Sequence, residues 1–245
     1  MIEHLPLLLA GAFVGGFTLG LTGFGNGLTS YGLWLHVISP QLAAPLVAIG
    51  SLTGHLLMFN GLRHAILVDR IMPFIVGGIF GIPIGTWLLT IISVPGFKLF
   101  SGLLLTSYSI FSLVGGSRLT TVKTSRWVDG LIGMAGGVCG GLASISGPIL
   151  TVWCGLKGWS KDEQRGTYQP YNFAMHVCAI VAFGVAGFLN KEVLLLVFYS
   201  MPATLVGIWL GRRLYGQIDE VQFKRIILIL LTLSGIALVW GGLQA

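Results

Sequence analysis

A chain of 245 residues with 54% hydrophobic and only 9% charged side chains cannot clothe a water-soluble surface, because soluble domains carry about 25% charge. Its mean hydropathy is +0.88. A soluble enzyme, a nucleic-acid-binding domain and a disordered chain are excluded. The expected partners are a lipid bilayer and a small ligand, with no nucleic acid. Cys139, Cys154 and Cys178 form no CxxC pair and are odd in number. They read as small buried residues, with no disulfide frame, no metal site and no cofactor implied.

The first uncharged run covers residues 4–62, 59 positions without Asp, Glu, Lys or Arg. Later runs are 71–97, 99–117, 130–156, 166–190, 193–211 and 226–245. A spanning helix needs ~20 apolar residues, so most runs are single crossings and the first holds two or three. Met1 to His4 lacks the cationic start of a signal peptide, so the segment is expected to stay in the mature chain.

Two runs are broken from within, at Thr22 to Gly27 and at Ser144 to Pro148. Each broken segment either crosses once or turns back as a hairpin. Cation placement separates the two. If both are hairpins and the N-terminus is outside, loops 61–70, 117–126, 157–165 and 211–225 face the cytoplasm. Only Lys98 and Lys191 of the 14 Lys and Arg then lie outside. Single crossings would split the cations eight to six. Hairpins are therefore expected, with both termini periplasmic in the cell inner membrane.

The halves match at an offset of 122, which pairs Gly11, Gly15, Gly25, Leu28 and Thr29 with Gly133, Gly137, Gly147, Leu150 and Thr151. It also pairs Gly85 and Trp87 with Gly207 and Trp209. Four extra residues then bring Phe97-Lys98 onto Phe223-Lys224. The reading is an all-α polytopic membrane protein of two inverted repeats, residues 1–116 and 127–245, joined by a cytoplasmic linker at 117–126. Each repeat is a broken helical hairpin plus three transmembrane helices, a recurrent secondary-transporter plan. Glycines at four-residue spacing, such as Gly77, Gly81 and Gly85, predict close helix packing.

The breaks carry the candidate binding chemistry. Gly25, Asn26 and Gly27, like Ser146, Gly147 and Pro148, precede a new helix whose free N–H groups and positive dipole end suit an anion. Thr22, Asn26, Ser144 and Ser146 add neutral donors. Arg165, Gln169, Asn172 and His176 are spaced 4, 3 and 4 apart, a polar stripe on one helix face that reads as pathway lining. His55 and His176, 121 positions apart, are candidate proton carriers. A structural kink, interhelical hydrogen bonds and neutral core histidines are the plainer readings of these three features. Two other classes compete: an intramembrane serine protease using Ser146 and His176, and a haem-binding membrane subunit using His55 and His176 as axial ligands.

Taken in order, Thr22 to Gly27, Ser146-Gly-Pro148, Gly158-Trp-Ser-Lys161 and then Arg165, Thr167, Gln169 and Pro170 resemble the sulfite exporter TauE/SafE family over nearly the whole chain. The resemblance implies a secondary transporter, usually an exporter, of sulfur-containing anions such as sulfite or organosulfonates, and no enzyme. It carries Gly25, Asn26, Gly27, Ser146, Gly147, Pro148, Arg165 and Gln169 over as site or gate positions. The first half lacks the Arg-Thr-Gln pattern of the second. The coupling ion and a homodimer stay open.

Overall fold

The computed structural model describes residues 5–58, 68–114, 122, 124–214 and 220–244. Most of the 117–126 linker, with Arg118 and Lys123, lies outside the described residues, as does Arg63. Ten α-helices and no strand occur among the described residues. They are α1 (Leu5–Thr22), α2 (Asn26–Trp34), α3 (Pro40–Met58), α4 (Val68–Ile91), α5 (Val94–Val114), α6 (Arg126–Ala143), α7 (Gly147–Leu156), α8 (Lys161–Val185), α9 (Lys191–Leu214) and α10 (Glu220–Leu243). Five of them, α1, α3, α4, α5 and α9, are long and apolar enough to cross a membrane. In α8 the charged first turn and the polar stripe keep the mean hydropathy low.

Both broken segments fold back on themselves. Gly23 and Gly25 end α1 at φ 80° and 94°, left-handed values that a side chain resists. The chain then returns along α1, where Ser30 Oγ donates to Gly11 O (2.9 Å) and Trp34 Nε1 donates to Leu8 O (3.0 Å). In the second hairpin Ser144 turns the chain at φ 52°. Its far end closes on its start, where Trp153 Nε1 donates to Asp129 Oδ1 (2.8 Å) and Val122 N donates to Leu156 O (3.0 Å). With nine and ten residues, α2 and α7 are about 14 and 15 Å long. That is half of a ~30 Å hydrocarbon layer.

Glycine decides which helices pair. A Cβ on Gly77, Gly81 or Gly85 of α4 would meet the carbonyls of Gly130, Met134 and Val138. In return, Gly133, Gly137 and Gly141 of α6 press on the carbonyls of Phe74, Gly78 and Ile82. The same interlock joins α1 to α9, with Gly16 and Gly20 against Thr204 and Ile208, and Gly207 and Gly211 against Phe13 and Phe17. Residue numbers rise together in both pairs, so each pair is parallel. Gly50 and Gly54 place α3 beside Thr204 and Ile208 of α9 in the same sense. Likewise Arg70 meets Glu163 while Gly78 meets Tyr171 and Met175, so α8 runs parallel to α4. The result is one bundle of α1, α2, α3 and α9 and a second of α4, α6, α7 and α8. The antiparallel pair α5/α10 packs where Gly102 meets Gly235 and Gly242 meets Leu99.

These contacts correct the register read from sequence. Helix starts agree at an offset of 121 for α1/α6 (Leu5, Arg126), α2/α7 (Asn26, Gly147) and α3/α8 (Pro40, Lys161), one less than 122. For α4 and α9 the contacts agree at 126: Gly81 and Gly85 take the places of Gly207 and Gly211. The five extra residues therefore enter between α3 and α4, ahead of the point where sequence matching put them. The Gly85-to-Gly207 and Trp87-to-Trp209 matches are not spatial equivalents. Abundant glycine at four-residue spacing permits an alignment one turn out of step, and only the partner helix fixes it. Trp87, Trp127, Trp209 and Trp240 are all exposed near helix ends, as expected of residues at the two membrane–water interfaces.

Candidate functional site

The two breaks meet at the middle of the molecule, where the bundles face each other. Tyrosines tie them across the join. Tyr31 OH of α2 donates to Ala143 O at the end of α6 (2.6 Å), and Tyr168 OH of α8 donates to Thr22 O at the end of α1 (3.3 Å). Ser144 Oγ donates to Ala44 O of α3 (2.9 Å). The two tyrosine bonds satisfy carbonyls that the ends of α6 and α1 leave unpaired inside apolar surroundings.

Between the breaks lies a cavity of about 20 Å³, room for roughly one water molecule. Gly25, Asn26, Gly27, Ser144, Gly147 and Pro148 from the breaks line it, with Ser51, His55, Asn172 and His176. Leu19, Phe24, Leu28 and Ile145 complete an apolar wall. No Asp, Glu, Lys or Arg belongs to this wall.

Asn26 is committed to the scaffold. Its amide donates to Ser51 Oγ (3.0 Å) and Val47 O (3.3 Å), and its Oδ1 lies within hydrogen-bond reach of Ser30 Oγ (3.2 Å). Both side-chain N–H groups are used, so the Asn26 amide has no donor left for a ligand. Asn172 is the reverse case. It is 1% exposed, its Oδ1 accepts from Ser146 Oγ (3.0 Å), and no hydrogen bond among the described residues uses its two amide protons. Ser51 accepts from Asn26 and keeps its own hydroxyl proton for the cavity. The N-cap positions Gly25 and Ser146 provide no side-chain cap. The first-turn N–H groups of α2 and α7 are thus open to a cavity occupant.

The histidines come together. Their rings lie 5.3 Å apart, and His176 Nδ1 is 2.6 Å from Asn172 O. At the 121 offset, Ser51 and His55 of α3 stand where Asn172 and His176 stand on α8. Sequence reading missed Ser51, although a Ser and a His four apart, matched by an Asn and a His four apart, was a usable signal.

The remaining predicted residues stand off the wall. Ser146 acts through Asn172. Thr22 Oγ1 spans its own break, within hydrogen-bond reach of Thr18 O (2.9 Å) and Phe24 O (2.6 Å). Gln169 rests its amide against Gly23. Arg165 does not reach the cavity wall, so the stripe joins the site only through its deeper members, Asn172 and His176. The protease arrangement is not formed, because Ser146 Oγ points to Asn172 and not to a histidine. The space between His55 and His176 is far too small for a porphyrin.

The family model described as Sulfite exporter TauE/SafE matches residues 7–238. No curated protein and no solved structure matches the chain. The chain belongs to the sulfite exporter TauE/SafE family, a family of membrane transporters and not of enzymes.

Proposed function

From membership of an anion-exporter family and the geometry of the cavity, we propose that the protein is a secondary exporter of small sulfur-containing anions such as sulfite or organosulfonates, bound between the two helix breaks. One observation carries the reading: Ser51 and Asn172 present uncommitted donors to a buried cavity beside two uncapped helix starts. Neutral donors and helix N-termini hold an anion without a full counter-charge. Binding of that kind favours release as much as capture.

The cavity is smaller than the proposed substrate, so it corresponds to an occluded state that opens to either side in turn. An inverted duplication is supported by the contact pattern, which is largely preserved when α1 to α5 are exchanged for α6 to α10. The moving bodies in our reading are not the two halves of the sequence. The glycine interlocks fix α4 to α6 and α9 to α1, so each bundle borrows one helix from the other repeat. Rocking of bundle against bundle would part Tyr31 from Ala143 and Tyr168 from Thr22. The cytoplasmic placement of most cations supports an inner-membrane protein with periplasmic termini. His55 and His176, as the titratable groups of the cavity wall, are the proposed proton carriers.

Equilibrium binding to the purified protein in detergent tests the reading, using sulfite, an alkanesulfonate, sulfate and acetate. Saturable binding of sulfite or the sulfonate, weakened by Asn172→Ala and by Ser51→Ala, is expected. Binding that neither change affects would remove the anion from this cavity.

A further inference from the structure

A second cavity, of about 470 Å³, opens at one end of the second bundle and is lined by Val68, Asp69, Arg70, Pro73, Arg126, Asp129, Lys157 and Trp159. All of these lie at or near helix ends, at the level where the chain leaves the membrane. Arg70 stacks its guanidinium over the Trp159 ring at 4.5 Å, and Lys157 Nζ lies 5.3 Å from the same ring. Two acids are already neutralised. Asp129 pairs with Lys157 Nζ at 2.7 Å, and Glu163, beside the cavity, pairs with Arg70 Nη1 at 2.8 Å. Arg126 is exposed and has no partner among the described residues, and Asp69 at the start of α4 is the one lining acid without a partner there.

We propose that this crevice binds the phosphate of an anionic phospholipid. Arg126 supplies a free guanidinium fork suited to a phosphate, and Arg70 and Lys157 rest against the Trp159 ring in the same crevice. Cations in pockets between membrane helices recognise lipid headgroups, and three of the five charged lining residues here are cations. Val68 of the crevice wall and Trp127 beside Arg126 are exposed, as are Met72 and Leu131 one turn further along α4 and α6, and together they offer an apolar ledge for acyl chains. The site is separate from the central cavity. Glu163 and Arg165 are two positions apart on α8, about 200° around the helix, so the crevice and the polar stripe occupy opposite faces.

Native mass spectrometry of the full chain, offered phosphatidylglycerol and phosphatidylcholine of equal chain length, tests the proposal. Phosphatidylglycerol should be retained preferentially. Arg126→Gln should cut that preference about fivefold, and Asp69→Asn should raise it, a gain that misfolding does not imitate. Equal retention of the two lipids, or no response to either substitution, overturns the proposal. Displacement of the lipid by inorganic phosphate alone would overturn it in favour of a soluble anion.

Discussion

Asn172→Asp is the sharpest perturbation of the central site. The new side chain is nearly isosteric and keeps an oxygen to accept from Ser146 Oγ, now 3.0 Å away. It replaces the two uncommitted N–H groups by an acceptor. One hydrogen bond to a charged partner contributes ~1.5–3 kcal/mol, so the lost donor alone predicts roughly 10- to 150-fold weaker anion binding. Like-charge repulsion at ~4 Å adds up to about 4 kcal/mol at an effective dielectric of 20. Asn172→Asp should therefore bind more weakly than Asn172→Ala, whereas Ser146→Ala, which only frees Asn172 to turn, should cost least. At acid pH the introduced carboxyl takes up a proton and regains one donor, so binding by the Asn172→Asp variant should partly return. The assay is equilibrium anion binding in detergent at neutral and acid pH, with thermal melting as the check on folding. If Asn172→Asp binds sulfite or an alkanesulfonate as tightly as the parent at neutral pH, the anion does not sit at this amide.

With rings 5.3 Å apart, His55 and His176 cannot both hold a proton cheaply, so either single His→Gln change should leave pH-dependent transport and the double change abolish it. Proteoliposome flux across a pH series decides this, and pH dependence surviving in the double variant would return the histidines to packing. Gly137→Ala forces a methyl onto the Gly78 carbonyl and should lower stability by about 1–3 kcal/mol or more, read as a drop in melting temperature, whereas Gly155→Ala, with open space around it, should be silent. Lys157→Met strands Asp129, whose side chain is 10% exposed, and should cost about 3–5 kcal/mol, most of which Asp129→Asn in the same chain should restore. Glu163 is held at a pKa of about 2 by Arg70 and by the Ser160 cap. Its contribution to stability is therefore complete above the unfolded carboxylate range and fades as pH falls toward that value, so Arg70→Gln should make acid unfolding begin at higher pH.

Composition, helix-breaking clusters and local motifs were enough for the solvent, the breaks and the family. Charge-free runs of crossing length leave no soluble alternative, and the clusters Thr22 to Gly27 and Ser144 to Pro148 interrupt those runs in local sequence, where Gly23, Gly25 and Ser144 take left-handed backbone. Asn172 and His176 were legible because four-residue spacing places polar groups on one helix face before any partner is known. The family motifs stand in local sequence and survive in any packing.

Partnership between helices is settled by packing. Glycines repeating every four residues fit several registers equally well, and the carbonyl that each one touches belongs to a helix far away in the chain. That is why the contacts of α4 and α9 depart from the 122 offset, and why each bundle combines helices from both halves of the chain. It also separated Asn26 from Asn172, two buried amides beside the same breaks. One spends its donors on Val47 and Ser51 while the other leaves them facing the cavity. Hydrogen-bond commitment depends on which acceptors surround a side chain in space, and neighbours in sequence do not fix that.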